Sequence, residues 1–365
     1  MNIDRQTPEG CRIARVQAAP LDVPLLEPFG ISLGTMHRLQ NVLVKVDLED
    51  GHHGIGEAAP FPELTGETQA TVLAAVEQMG DLLRGVDATS FRLVHEKLAA
   101  VFRAQSSARA GVVSALFDAL GRRAGLPLHR WFGGRGTRVE TDLTIPIVDG
   151  PRAAERACEI RKMGIRTIKT KVGHDLEGDL ARVFAIHEAY PEAGLVVDAN
   201  QGFTPKEALT FLQELEENGV RPLLLEQPVH RDDLRGMAMV RGRANVPVYA
   251  DESVFSATDA WRVLQAGAAD GINIKLAKCG GFVEAMDIAA LCRAAGAGLM
   301  IGAMMETRLG LTASAHFAAG TGGFRFCDLD THMLLAEDPF QAGFLQDGPT
   351  LELGESPGLG VSKRG

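Results

Sequence analysis

The sequence predicts an α/β protein, a (β/α)8-type barrel preceded by an N-terminal α+β capping domain. Three observations carry this. From about Arg138, short β-branched runs alternate with amphipathic helical segments. Eight such runs recur, their starts ~25–30 residues apart, the length of one strand-plus-helix unit. Most of these runs end in a charged residue, the place where barrel enzymes keep their chemistry. The alternative, an open doubly wound sheet, lacks the G-x-G-x-x-G turn that would open a helix after a strand.

The opening segment reads differently. Val42 to Asp47 leads into Asp50-Gly51, and Gly54 to Ala58 follows, a hairpin with a D-G turn. Helical periods then run over Gly66–Leu83, Ser90–Phe102 and Ser107–Ala124. In the last, Val112, Val113, Leu116, Ala119 and Leu120 keep one helical face. Residues 1–138 are therefore assigned to the capping domain and 139–337 to the barrel. The Gly- and Pro-rich tail, 338–365, is expected to pack back on the first domain.

The eight barrel runs are Thr141–Ile147, Thr167–Val172, Leu195–Asp198, Leu223–Glu226, Val248–Asp251, Ile272–Lys275, Leu299–Ile301 and Phe326–Asp330. Helices between them carry their own start signals. Thr204-Pro205-Lys206-Glu207 is a capping box with proline in the first turn, and Gly219 ends that helix. Ser256 opens another that stops by Gly267.

Composition excludes several functions. With 37 basic and 47 acidic residues the net charge is −10, which argues against nucleic acid, and 5% aromatics give no single-strand stacking platform. The N-terminus has no apolar signal core. No apolar stretch approaches the ~20 residues of a membrane helix. Five scattered cysteines without a CxxC pair predict reduced thiols, no zinc knuckle and a soluble cytoplasmic protein.

The strand ends are the informative positions. Strand two ends Lys169-Thr170-Lys171, strand three in Asp198, strand four in Glu226, strand five in Asp251, strand six in Lys275 and strand eight in Asp328-Leu329-Asp330. One such Asp commonly just caps the next helix; so many on one mouth point to a site. Asp198, Glu226 and Asp251 on adjacent strands would repel unless a cation lay between them. Carboxylates without His or Cys select a hard divalent ion, Mg2+. Lys169 and Lys171 share one side of their strand. Like-charge repulsion and burial are expected to lower their pKa, making Lys171 a base. Lys275 lies across the mouth, so the two lysines suit a two-base proton transfer; the plainer reading makes them counter-ions. Glu252 and Lys278 are expected to support the site, His52-His53 to be a solvated turn, His316 to be packed, and Met304-Met305 to be core or a pocket wall.

TIKTKVG, VVDANQGF, LLLEQPV, YADES, NIKLAKCGG and MMETRLG together resemble the enolase superfamily, muconate-lactonizing-enzyme subgroup, over essentially the whole chain. The resemblance implies that Asp198, Glu226 and Asp251 bind one Mg2+ per subunit, that Lys171 and Lys275 are the acid/base pair, and that Lys169 supports Lys171 and touches the substrate carboxylate. The shared step is removal of a proton α to a carboxylate, giving an enediolate. FCDLDTHM is similar to the D-x-D signature of dipeptide epimerases, which implies that Asp328 and Asp330 grip the free amino group of a dipeptide. Thr144 and Met305 match substrate-pocket positions of that family. The implied activity is epimerisation at the α-carbon of the C-terminal residue by a homo-oligomeric isomerase. The same scaffold also hosts o-succinylbenzoate synthases, N-acylamino acid racemases and muconate cycloisomerases, which bind no amine; a barrel lyase or aldolase is the rival from another class. Family members acting on Ala-Glu carry an arginine in the lid where this chain has Gly34, so restriction to Ala-Glu is not expected. Glu63 and Glu67 of the second lid loop would favour a cationic second residue if they point inward, and an apolar one if they do not.

Overall fold

The computed structural model describes residues 10–31 and 34–364, leaving out the side chains of Ile31 and Gly34. The opening residues build an antiparallel sheet of β1 (Ile13–Ile31), β2 (Gly34–Leu48) and β3 (His53–Ala58), in that order. Asp50-Gly51 makes the expected turn between β2 and β3, with Gly51 at φ 89°. The long first strand escaped the sequence reading because Pro20, Pro24 and Pro28 interrupt it. Proline is tolerated there because β1 is an edge strand. The pairing register also shifts between Pro24 and Phe29.

Five helices follow: α1 (Pro62–Thr65), α2 (Gln69–Leu83), α3 (Phe91–Val101), α4 (Ser106–Ala124) and α5 (Leu128–Trp131). Helix α4 crosses β3 closely because that strand offers Gly54 and Gly56. A β-carbon at Gly54 would lie 2.2 Å from the α4 backbone, and one at Gly56 2.4 Å from it.

After β4 (Arg138–Glu140), eight parallel strands form one sheet: β5 (Leu143–Ile145), β6 (Thr167–Lys171), β7 (Gly194–Asp198), β8 (Leu224–Glu226), β9 (Val248–Ala250), β10 (Gly271–Lys275), β11 (Gly298–Gly302) and β12 (Phe324–Asp328). The helices between them are α6 (Gly150–Lys162), α7 (Leu176–Ala189), α8 (Pro205–Glu217), α9 (Leu234–Arg243), α10 (Ala257–Gln265), the short α11 (Leu276–Cys279) with α12 (Phe282–Ala295), and α13 (Arg308–Thr321). Both halves of the expected capping box on α8 form, and Ser256 caps α10. The Asp142 N–H donates to the Cys327 carbonyl at 3.0 Å, joining the first strand to the last and closing the barrel.

Strictly, the eighth repeat is incomplete. Strand β12 runs into a single 3-10 turn, Thr331–Leu334, instead of a helix. The tail then forms β13 (Phe340–Ala342), β14 (Phe344–Asp347), β15 (Thr350–Leu353) and β16 (Val361–Lys363). Strand β15 pairs with β4, and the Leu359 N–H donates to Asp118 on α4 at 2.7 Å, so the tail ties back to the opening segment.

The inward face of the barrel has two levels. Val196, Leu224, Tyr249 and Met300 form a buried apolar plug against which Phe326 packs. Side chains two residues further along a strand lie on the same side. That places Asp198, Glu226, Asp251, Gly302 and Asp328 directly above the plug, at the mouth.

Candidate active site

Backbone register sets the polar layer. Lys171 pairs with Asp198 and Asp198 with Glu226 across β6, β7 and β8; Lys275 pairs with Gly302 and Gly302 with Asp328 across β10, β11 and β12. A β-carbon at Gly302 would meet the Asn273 amide at 2.8 Å and Lys275 Cε at 3.0 Å, so glycine there leaves the lysine its room.

Amines and acids interleave. Lys169, fully buried, reaches Asp328 at 2.6 Å, Glu226 at 2.8 Å and Asp198 at 3.1 Å. Lys171 donates to Asp198 at 2.6 Å, and Lys275 lies 2.8 Å from Asp251. Lys278 donates to the Asp251 carboxylate at 2.5 Å and to its carbonyl. Asn273 donates to Glu226 at 2.7 Å, and Asn200 to Glu252 at 3.1 Å. The amine contacts fall on Glu226 Oε2, which faces Lys169, and on Asp251 Oδ2, which faces Lys275, while Glu252 Oε2 is buried and accepts no hydrogen bond. All donors at these strand ends are hard oxygens, which fits a hard divalent cation.

The electrostatics follow from the interleaving. Burial alone would push Lys169 down, but Asp328, Glu226 and Asp198 together hold its pKa well above the ordinary value. Lys275 behaves likewise: burial opposes its charge and Asp251 more than restores it. The expected lowering of Lys169 by burial and a neighbouring amine is therefore reversed, because the lysines face more carboxylates than amines. Burial resists ionisation of Asp198 and Asp251, yet Lys171 and Lys169 hold the first low and Lys275 and Lys278 the second. Glu226 has less cationic help; burial and then Asp198 raise it to about 7. Burial raises Glu252 to about 8, with Asp251 adding to the effect.

Among the described residues, another acidic group draws tightest. Oxygens of Asp142, Asp328 and Asp330 lie within 4.8 Å of one another, all three residues buried. Asp330 stands beyond the end of β12 and accepts the Thr144 N–H at 2.6 Å. The sequence reading missed Asp142, although its place two residues before Thr144 marks it as facing the same side.

A cavity of about 330 Å3 opens above this layer. Lys171, Lys275, Asp251, Glu252, Asn200, Asp328, Asp330 and Thr144 line its polar end, while Asp198, Glu226 and Lys169 lie outside the lining. Its other walls are Phe29 and Met36 from the β1–β2 hairpin, Phe61 and Leu64 from the second lid loop, and Met304 and Met305 after β11. Both methionines thus face the pocket. Arg38 lines its rim, exposed, 3.6 Å from Asp22.

The lid glutamates part ways. Glu67 is buried and accepts from the Ser107 and Ala108 N–H groups at the start of α4, so it turns away from the cavity. Glu63 stays at the exposed rim. Gly34 lies at the hairpin tip, with its side-chain surroundings outside the described residues. His316 is packed, its Nδ1 accepting the His129 N–H at 2.9 Å. His52 pairs with Asp50 beside the turn.

A further polar knot fixes the Met305 wall. Buried Glu57 on β3 accepts from Thr307 and Gly310 at the start of α13 and from Asn41 at 2.6 Å. Asn41 also donates to the Met305 carbonyl at 2.8 Å.

Residues 14–133 match the family described as mandelate racemase / muconate lactonizing enzyme, N-terminal domain, and residues 152–364 match enolase C-terminal domain-like proteins. The chain belongs to the mandelate racemase / muconate lactonizing enzyme family. Within it, a relative from Herpetosiphon aurantiacus named an aromatic dipeptide epimerase is 44% identical, the match covering 96% of this chain and 98% of the relative. A solved dipeptide epimerase from Enterococcus faecalis, complexed with Mg and L-Leu-L-Tyr, superposes with a TM-score of 0.93 at 39% identity, covering 96% of this chain and 99% of that one. The L-Ala-D/L-Glu epimerase of Bacillus subtilis, in a substrate-liganded complex, gives a TM-score of 0.94 at 36% identity, with 96% and 99% covered.

Proposed function

We propose that this protein is a dipeptide epimerase, an isomerase that inverts the α-carbon of the second residue of a dipeptide. The observation that carries the reading is the pair Lys171 and Lys275, which line one cavity from strands four apart in an eight-stranded barrel and so stand on opposite sides of whatever fills it. One amine removes the α-proton and the other delivers a proton to the opposite face, their roles exchanging with the stereoisomer bound.

Asp198, Glu226 and Asp251 would hold one Mg2+, since three buried carboxylates on adjacent strand ends offer only hard oxygens, now shared with the lysine amines. When bound, that ion supplies positive charge at the substrate carboxylate and so acidifies the neighbouring C–H. Lys169 keeps the floor neutral and supports Lys171. At the other end Asp328 and Asp330 take the free ammonium, and the Thr144 N–H aims Asp330. The residues 1–138, completed by the tail 338–365 packed on them, cap the mouth, and 139–337 carry the chemistry. Free cysteines fit a cytoplasmic enzyme, and the family resemblance implies a homo-oligomer.

The second side chain is apolar. With Glu67 turned away and Glu63 solvated, Phe29, Met36, Phe61, Leu64 and Met304 leave an apolar wall, while Arg38 has Asp22 beside it. Rates on L-Ala dipeptides ending in Leu, Phe, Lys or Glu test both levels. Leu and Phe are expected to exceed Glu and Lys by about tenfold or more, the worth of about 1.4 kcal/mol of pocket contact. Equal or better turnover of Ala-Glu would refute the apolar assignment. Turnover confined to N-acylated amino acids, indifferent to Asp330→Asn, would refute the dipeptide reading.

A further inference from the structure

We propose that Asp142 is a positioning residue of the amine subsite, holding Asp328 and Asp330 in place for the substrate's ammonium. The inference rests on the dipeptide reading and deepens it. Asp142 is buried, at 3% exposure, and does not line the cavity, whereas Asp328, Asp330 and Thr144 do. It therefore stands behind the two acids that meet the ligand.

Its backbone is anchored where the barrel closes, the Asp142 N–H bonding to the Cys327 carbonyl immediately before Asp328. Any movement of Asp142 is thereby felt by the strand that carries Asp328. The oxygens of all three acids lie within 4.8 Å, yet Asp142 Oδ1 has no hydrogen-bond partner. The two lining acids each commit an oxygen to the protein: Asp328 Oδ2 to Lys169 at 2.6 Å, and Asp330 Oδ2 to the Thr144 N–H at 2.6 Å. Lys169 is shared with Glu226 and Asp198 and cannot neutralise three further carboxylates.

A buried polar oxygen without a partner is costly, and an acidic group this crowded more so. An ammonium on Asp328 and Asp330, with three donors and one positive charge, relieves the crowding of the group. A second divalent ion is the less suitable occupant. It would need several oxygens at about 2.0–2.6 Å, and two are already held by N–H donors.

The test is steady-state kinetics of Asp142→Asn and Asp142→Glu on L-Ala-L-Leu and on its N-acetyl derivative, with Mn2+ binding counted per chain and melting temperature as the folding control. Asparagine keeps the shape and removes the acid. We expect KM for the free dipeptide to rise about tenfold with kcat within a few-fold, constants for the acetylated compound unchanged, partial recovery in Asp142→Glu, and one Mn2+ per chain throughout. An unchanged KM in folded Asp142→Asn overturns the proposal, as does an equal loss on both compounds, which would make the residue merely structural. Two Mn2+ per wild-type chain falling to one in the variant would assign a metal site instead. If the wild type turns over no dipeptide, both readings fall; if it does and KM stays put, only this one does.

Discussion

Lys169 shows what a single residue carries here. It is fully buried and contacts three carboxylates on three different strands. Removing one partner of a buried charge group leaves the others uncompensated, a loss of about 3–5 kcal/mol. Lys169→Met is therefore expected to lower the free energy of unfolding in urea by about that amount when metal is chelated, and by less with Mg2+ present, because a cation among the same acids stabilises the folded state by mass action. A change below about 1 kcal/mol without metal would mean that the acids are not held by this amine. The residue's position was legible from TIKTK, since i and i+2 on a strand share a side. Its charge state was not. The sequence shows the neighbouring lysine but not the carboxylates that three other strands bring up.

Among elements, the contact between α5 and α13 gives a pH-dependent prediction. His129 and His316 stack with ring centroids 5.5 Å apart, and Nδ1 of His316 accepts a backbone N–H while Nε2 faces the Leu359 carbonyl at 3.3 Å. Burial lowers His316 to about 3 from its ordinary 6.5, and His129 beside it adds to the effect. The folded state refuses a proton that the unfolded chain accepts, so His316 contributes stability above pH 6.5 that is lost as pH falls from there toward 3. In chemical denaturation at stepped pH, His316→Gln should show a shallower decline across that window than the wild type. Parallel curves would contradict the assignment. The helix pattern around LTASAHFAAG predicted a packed histidine. It could not reveal the second histidine, 187 positions away in sequence.

For the whole molecule, legibility followed sequence separation. Barrel strands and their mouth acids announce themselves because one period fixes both. Asp142, Glu57 and Asn41 went unread because their meaning lies in distant contacts: Asp142 with Cys327, Glu57 with Thr307 250 positions away and Asn41 with Met305 264 positions away. The incomplete eighth repeat went unread because the tail's short strands take the place of a helix. The hairpin of the opening sheet and the loop after it line the same cavity as the barrel's strand ends, so the proposed chemistry and selectivity meet in one place. The most direct test of that arrangement is proton NMR of an L-Ala dipeptide in D2O with wild type, Lys171→Ala and Lys275→Ala. The account predicts Mg2+-dependent exchange at the second α-carbon with inversion by the wild type. Each variant should lose inversion by at least about a hundredfold, with exchange retained on only one stereoisomer, opposite in the two variants. Inversion at the native rate by either variant, or exchange at the first residue, would contradict it.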